Sequence, residues 1–264
     1  MNYYFSAPES SLPVAKQFML EQEGMHYLMT FAHSLKQWKN FAEKGKCMMM
    51  DSGAFSAWNS GKIIDREKYL KCIQSLPDEV YKINLDVIPK TGSTPEEKEL
   101  ACKQSFENFL YLNKYVKNVL PVHHYGDDIS WIKKMLDYTD YVCISPANDT
   151  HETIKKRYLD YIFSEIPLQT KTHCLGYTSK DGLRKYPFYS VDSISYKTTQ
   201  MRGMVIMCRE DGEMVNLELG EYAKIINKVF STHIPMKDQR EIVQLGAIET
   251  IKAFQKYFKS ISKF

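Results

Sequence analysis

Three aspartates each close a short apolar run. Cys47-Met48-Met49-Met50 ends in Asp51, Tyr81-Lys82-Ile83-Asn84-Leu85 ends in Asp86, and Tyr189-Ser190-Val191 ends in Asp192. In a parallel barrel the groups at the C-terminal ends of the strands face bound substrate, so these carboxylates read as one site. Two carboxylates divide naturally into a nucleophile and an acid/base, the division that breaks a glycosidic bond through an oxocarbenium-like transition state. Asp51 and Asp192 form that pair. A third carboxylate, Asp86, suits a guanine edge, because its oxygens accept from adjacent N–H donors and reject bases that lack them. Taken singly, an aspartate after a strand is more often a turn former or helix cap. A carbohydrate-acting barrel would use the same ingredients, usually with several tryptophans at its strand ends. Here Trp38, Trp58 and Trp131 are the only three, and only Trp58 lies just beyond such an end.

The other strand ends extend the candidate site. Asp51 is followed by Ser52, Gly53, Ala54 and Phe55, and the small residues let a ligand approach the backbone. Val119-Leu120-Pro121-Val122 leads into His123 and His124, Val142-Cys143-Ile144 into Ser145, and His173-Cys174 into Leu175 and Gly176. The histidines share no metal-ligand spacing with the aspartates, so no metal or other cofactor is expected. The plain reading of the pair is one buried hydrogen-bonding ring and one facing solvent; the functional reading gives one of them a substrate contact.

Something must hold these ends in one place. Strands are expected at 3–6, 26–31, 46–51, 80–87, 118–123, 141–145, 170–175, 190–193 and 203–208. Helices are expected at 65–75, 130–136, 150–163, 179–185, 221–230 and 239–258, the last capping the barrel or meeting a partner. Thr94-Pro95-Glu96-Glu97 starts one more, running to about residue 115, with a capping threonine, a first-turn proline and acids at the positive helix end. Regular alternation of this kind predicts an α/β fold, a (β/α)8 TIM-type barrel in one domain over 1–264, with an open doubly wound sheet as the alternative. A chain of 264 residues, 44% hydrophobic and 25% charged, has the size and composition for it.

The net charge of +3 excludes a strongly basic, histone-like protein but leaves room for a local basic cleft. Lys180, Arg184, Lys185, Lys197, Arg202 and Arg209 gather in the last third, with Tyr177, Tyr186 and Tyr196 interleaved. They read either as a phosphate-tracking and base-stacking surface or as a solvated basic face. The six cysteines are widely spaced with no Cys-x-x-Cys, which argues for reduced thiols and against the usual structural zinc site. Residues 1–5 carry no secretion signal and no long apolar run follows, so a cytoplasmic protein without a membrane span is expected.

The ordered set of segments resembles the tRNA-guanine transglycosylases. Asp51-Ser52-Gly53-Ala54-Phe55-Ser56 is similar to that family's Asp-Ser-Gly-Gly-Phe/Tyr-Gln motif, and Asn84-Leu85-Asp86 stands at its second aspartate. Leu120-Pro121-Val122-His123-His124-Tyr125-Gly126 resembles its Val-Gln-Gly-Gly segment, His173-Cys174-Leu175-Gly176 its Leu-Met-Gly strand, and Tyr189-Ser190-Val191-Asp192-Ser193 its Phe-Asp-Cys/Ser nucleophile segment. The family's Cys-x-Cys-x-x-Cys…His zinc site has only Cys208 to answer it. The shortened form is more similar to the DpdA-like DNA-guanine transglycosylases of phages and genomic islands. The resemblance implies exchange of guanine in duplex DNA for a 7-deazaguanine such as preQ0. It implies Asp192 as nucleophile, Asp51 as acid/base and Asp86 as guanine reader, with Phe55 and Leu175 as the two walls around the base. His123 or His124 would contact O6, and backbone at 145–147 would lie near the 7-substituent. Alternatives are a tRNA enzyme without zinc, a carbohydrate-acting barrel, and a non-catalytic nucleic-acid-binding barrel.

Overall fold

The computed structural model describes residues 1–31, 37–90, 92–146, 150–230 and 239–261. Nine parallel strand segments form one sheet: β1 (Asn2–Ser6), β2 (Met25–Thr30), β3 (Gly45–Asp51), β4 (Tyr81–Ile83), β5 (Val119–Leu120), β6 (Val122–His124), β7 (Tyr141–Ser145), β8 (Lys171–Cys174) and β9 (Ser190–Ser193). The order β5-β4-β3-β2-β1-β9-β8-β7-β6 runs around a ring. β5 and β6 are halves of one chain segment split by Pro121. Proline has no N–H for a ladder, so each half pairs to one side only. Leu120 accepts from Asn84 on the β4 side at 2.9 Å, while the Pro121 carbonyl accepts from Cys143 on β7 at 2.8 Å. The result is the expected (β/α)8-type barrel.

Alternate side chains point inward, as strand geometry requires. Tyr4, Leu28, Met49, Ile83, Leu120, Val122, Tyr141 and Cys143 fill the interior as one buried cluster. A larger apolar layer, including Tyr27, Phe41, Tyr69, Phe109, Ile132, Val142 and Leu159, lies between strands and helices. The strands therefore read as near-continuous apolar runs, as buried parallel strands do.

The helix Pro95–Asn113 starts with the capping box expected at Thr94. The Thr94 hydroxyl accepts from the Glu97 N–H at 3.3 Å, and the Glu97 carboxylate accepts from the Thr94 N–H at 2.8 Å. The final helix, Gln239–Ile261, packs on the outer wall and does not cap an end: Tyr3 of β1 stacks on Phe258 at 4.3 Å and lies 5.2 Å from Phe254. The run expected at 203–208 forms a strand outside the barrel. It is β10 (Met204–Cys208), paired antiparallel with β11 (Met214–Glu218). Gly212, at φ +84, makes their turn, and the hairpin packs through Val205 on Tyr222, Ala223 and Ile242. Helices Pro13–Glu21, Trp38–Lys44, Ala54–Asn59 and Thr198–Arg202 are elements that hydropathy patterning did not reveal. Among the described residues no helix is long and apolar enough to cross a membrane.

One glycine holds the loop after β8 against the next helix. A Cβ at Gly182 would lie 2.0 Å from the Tyr177 hydroxyl, which donates to Glu152 at 2.8 Å. Gly182→Ala is expected to lower stability by about 2–3 kcal/mol, through overpacking and loss of that bond. Urea unfolding measures it, and an unchanged midpoint would contradict the packing described.

Candidate carboxylate site

Asp51 ends β3 two residues after inward-facing Met49, so its side chain continues into the barrel mouth. Gly53 turns the chain at φ 82 and caps the helix Ala54–Asn59. Only a residue free of a Cβ penalty takes that conformation readily. The turn aims the backbone N–H groups of Gly53 and Ser52 back at the Asp51 carboxylate. Ser52 itself is fully buried. Asp51 keeps a small solvent-facing surface but is otherwise enclosed by protein. Burial raises its carboxyl to about 7, helped by the negative charges of Asp86 and, more weakly, Asp192, and opposed by the two N–H groups. The three predicted aspartates are thus within one another's electrostatic reach.

Asp86 lies just past β4 on a loop held by the helix Pro95–Asn113. Asn108 donates to the Leu85 carbonyl at 2.8 Å, Asn84 donates to the Ser105 carbonyl at 2.9 Å, and Val87 N–H donates to Ser105 Oγ at 2.7 Å. His124, at the end of β6, places Nε2 2.6 Å from Asp86 Oδ2. Burial disfavours the His124 cation, but the hydrogen bond and charge of Asp86, with Asp127, outweigh it and raise its pKa. Among the described residues the hydrogen bond that Asp86 makes is the one between Oδ2 and His124. His124 is aligned in register with Ser145, whose carbonyl is taken by Tyr125 N–H at 2.8 Å. Ala147, the other backbone group expected nearby, lies outside the described residues.

The two histidines separate. His123 is buried, with Nδ1 2.9 Å from the Tyr158 hydroxyl and Nε2 3.3 Å from the Asp128 carbonyl. Burial lowers its pKa, so it is a neutral core ring. Of the two, His124 is the one that meets Asp86.

Asp192 is gripped on both oxygens. Ser6, at the end of β1, donates to Oδ2 at 2.5 Å, and Gly176 N–H donates to Oδ1 at 3.0 Å. His173 Nε2 lies 3.2 Å from Oδ1. Gly176, expected at the ligand, works here through its backbone, at φ 64. Leu175 packs on the barrel's interior cluster. Phe55 is 56% exposed and stacks on Trp58 with centroids 6.0 Å apart. Ser6 and His173 were missed from sequence, although each is polar at or near the end of an apolar strand.

The basic cluster is less uniform than its spacing implied. Lys180 donates to the Met214 carbonyl at 2.6 Å, Arg184 pairs with Glu213 at 3.2 Å, and Lys185 pairs with Asp160. Lys197 is a correction: it is buried, donating to the Ala7 carbonyl and to Ser10, and burial pulls its pKa down to about 8. Tyr177, Tyr186 and Tyr196 are also buried, with hydroxyls on Glu152, Asp160 and the Ser6 carbonyl, so they offer no stacking surface. Arg202 and Arg209 are exposed and make no ion pair among the described residues. A cleft of about 350 Å³ beside Ser195 is lined by Lys180, Arg202, Asn216 and Tyr257, and a second of about 490 Å³ by Phe31, Ser56 and Lys68. The aspartates line neither cleft; they stand in the barrel mouth.

No family model matches the chain, and no curated protein matches it either.

Proposed function

We propose that this chain is a DNA-guanine transglycosylase, exchanging guanine in DNA for a 7-deazaguanine base. The observation that carries the reading is the contrast between two carboxyls in one site. Asp51 is raised to about 7, while Asp192 is clamped by Ser6 and Gly176 N–H. A carboxyl raised toward neutrality can serve as acid/base there, and a neighbouring carboxylate oriented by two donors can serve as nucleophile.

The target base leaves the helix stack to reach the barrel mouth. An Asp192 oxygen attacks C1′, the C1′–N9 bond breaks, and protonated Asp51 gives its proton to the departing guanine. The sugar is then esterified to Asp192 and Asp51 is ionised. The incoming 7-deazaguanine gives its N9 proton to Asp51, N9 attacks C1′, and the Asp192 carboxylate is released. Asp86 Oδ1 accepts from the N–H edge of the base, with His124 fixing the orientation of the carboxylate. Ser52 and Gly53 shape the turn that holds Asp51, and Leu175 and Phe55 flank the base. Ser145 lies next to His124 in register, on the side assigned to the 7-substituent.

Incubating the protein with duplex DNA or tRNA and a labelled preQ0-like base, then identifying nucleosides by mass spectrometry, tests the reading. Incorporation into DNA alone is expected. Incorporation into tRNA alone would move the assignment to the tRNA enzyme, and incorporation into neither would overturn it. The exposed arginines carry a second prediction. Arg202→Ala is expected to weaken DNA binding and reduce the slope of log affinity against log salt by about 1, the signature of one lost phosphate contact. Lys197→Met is expected to leave that slope unchanged, because the ammonium is spent inside the fold. Fluorescence anisotropy titrations at several salt concentrations measure both, and equal effects would contradict the assignment.

A further inference from the structure

We propose that His173 is a positioning residue for Asp192, supplying a third donor at the end of a hydrogen-bonded file through the barrel interior. This rests on the reading of Asp192 as the attacking carboxylate.

His173 lies on β8 beside Ser190 in register, and both are fully buried. Its Nδ1 is 2.6 Å from Ser190 Oγ, and Ser190 Oγ is 2.6 Å from the Tyr141 hydroxyl. On the other side Nε2 stands 3.2 Å from Asp192 Oδ1, with no aligned hydrogen-bond partner. The ring sits edge-on to Tyr4, 5.6 Å away at 89°. A buried imidazole nitrogen without a partner is costly, and so is a lone pair aimed at a carboxylate. With the ring carrying one proton, one arrangement avoids both. Tyr141 O–H donates to Ser190, Ser190 O–H donates to Nδ1, and the proton of the neutral ring stays on Nε2, directed at Asp192.

Ser6 and Gly176 N–H hold opposite oxygens and leave the carboxylate free to tilt about the line between them. The N–H of His173 comes from the strand next to β9 and opposes that tilt. The present contact misses hydrogen-bond alignment, and a small turn of the carboxylate brings it in. The donor matters most when the ester to C1′ breaks, since Asp192 then regains its negative charge and an N–H already in place stabilises it. No proton is transferred in this step.

The test has an arm that does not need activity. Nitrogen-15 NMR of the imidazoles, with His173 identified by its loss in the variants, should show Nε2 protonated and Nδ1 bare, and Asp192→Asn should shift the Nε2–H signal. The reverse tautomer would overturn the proposal even if base exchange occurs, whereas the expected tautomer in a protein that exchanges no base would fault only the functional reading. Kinetically, His173→Phe is expected to lower kcat about 100-fold with KM for DNA and base within about twofold, as for a lost transition-state donor. His173→Gln, which can return an N–H near the same point, should recover about tenfold of that loss. Ser190→Ala, which cuts the file without touching the ring, should cost about tenfold in kcat and serves where His173→Phe does not fold. Wild-type kcat in a folded His173→Phe or Ser190→Ala protein would overturn the proposal.

Discussion

Asp192→Asn is expected to lower base exchange by about 10⁴-fold or more, because an amide oxygen cannot form the glycosyl ester and no other carboxylate is clamped in its place. DNA affinity should stay within about threefold, since the side chain reaches C1′ only after the base has flipped. The substitution is nearly isosteric, and Ser6 and Gly176 N–H still find partners on an asparagine. Loss of activity with an unchanged unfolding midpoint therefore separates chemistry from folding. Exchange assayed beside DNA binding measures it, and exchange within about tenfold of wild type would remove Asp192 from the nucleophile's role.

Asp51→Asn is expected to cost about 10³-fold in exchange yet make the protein more stable at alkaline pH. In the unfolded chain the carboxyl titrates near its ordinary 3.8, and in the fold near 7. Between those values the folded state binds more protons than the unfolded state. Stability from this group is therefore fully present below about pH 4 and is lost as pH rises through about 7. The full displacement corresponds to roughly 4 kcal/mol, and solvent reaching the barrel mouth reduces it to on the order of 2 kcal/mol. Asparagine carries no charge against Asp86 and Asp192, so the variant should gain on the order of 2 kcal/mol at pH 8 and almost nothing at pH 4. The same titration should appear in catalysis. Guanine release in a single turnover needs the protonated form and should fall above about pH 7. Urea unfolding of both proteins at the two pH values measures the stability effect. An equal difference at both would contradict the raised Asp51 carboxyl.

How much of this was legible depends on the distance between partners in sequence. Asp51 and Asp192 could be placed because each closes a short apolar run, and the C-terminal strand ends of a parallel barrel share one site. The Gly53 turn was legible because the residue type answers to a backbone conformation. The grip of Ser6 on Asp192 was not, because β1 meets β9 only when the ring closes. The pairing of His124 with Asp86 likewise depends on a strand split at Pro121, whose two halves serve different neighbours. Lys197 and the three buried tyrosines were misread for a common reason. Long amphipathic side chains have the same composition on a surface or inside a fold, and only the backbone behind them decides. The run at 203–208 was a strand, as its residues suggested, but apolar character alone does not distinguish a barrel strand from a hairpin arm.

The central claim is a covalent bond between the sugar and Asp192. The most direct measurement is trapping of the glycosyl-enzyme on an oligonucleotide containing the target guanine, followed by denaturation, intact mass and peptide mapping. The account predicts an adduct of protein plus DNA strand minus guanine, carried by the peptide containing Asp192 and absent from Asp192→Asn. An adduct on Asp51, or exchange that proceeds in Asp192→Asn, would contradict it.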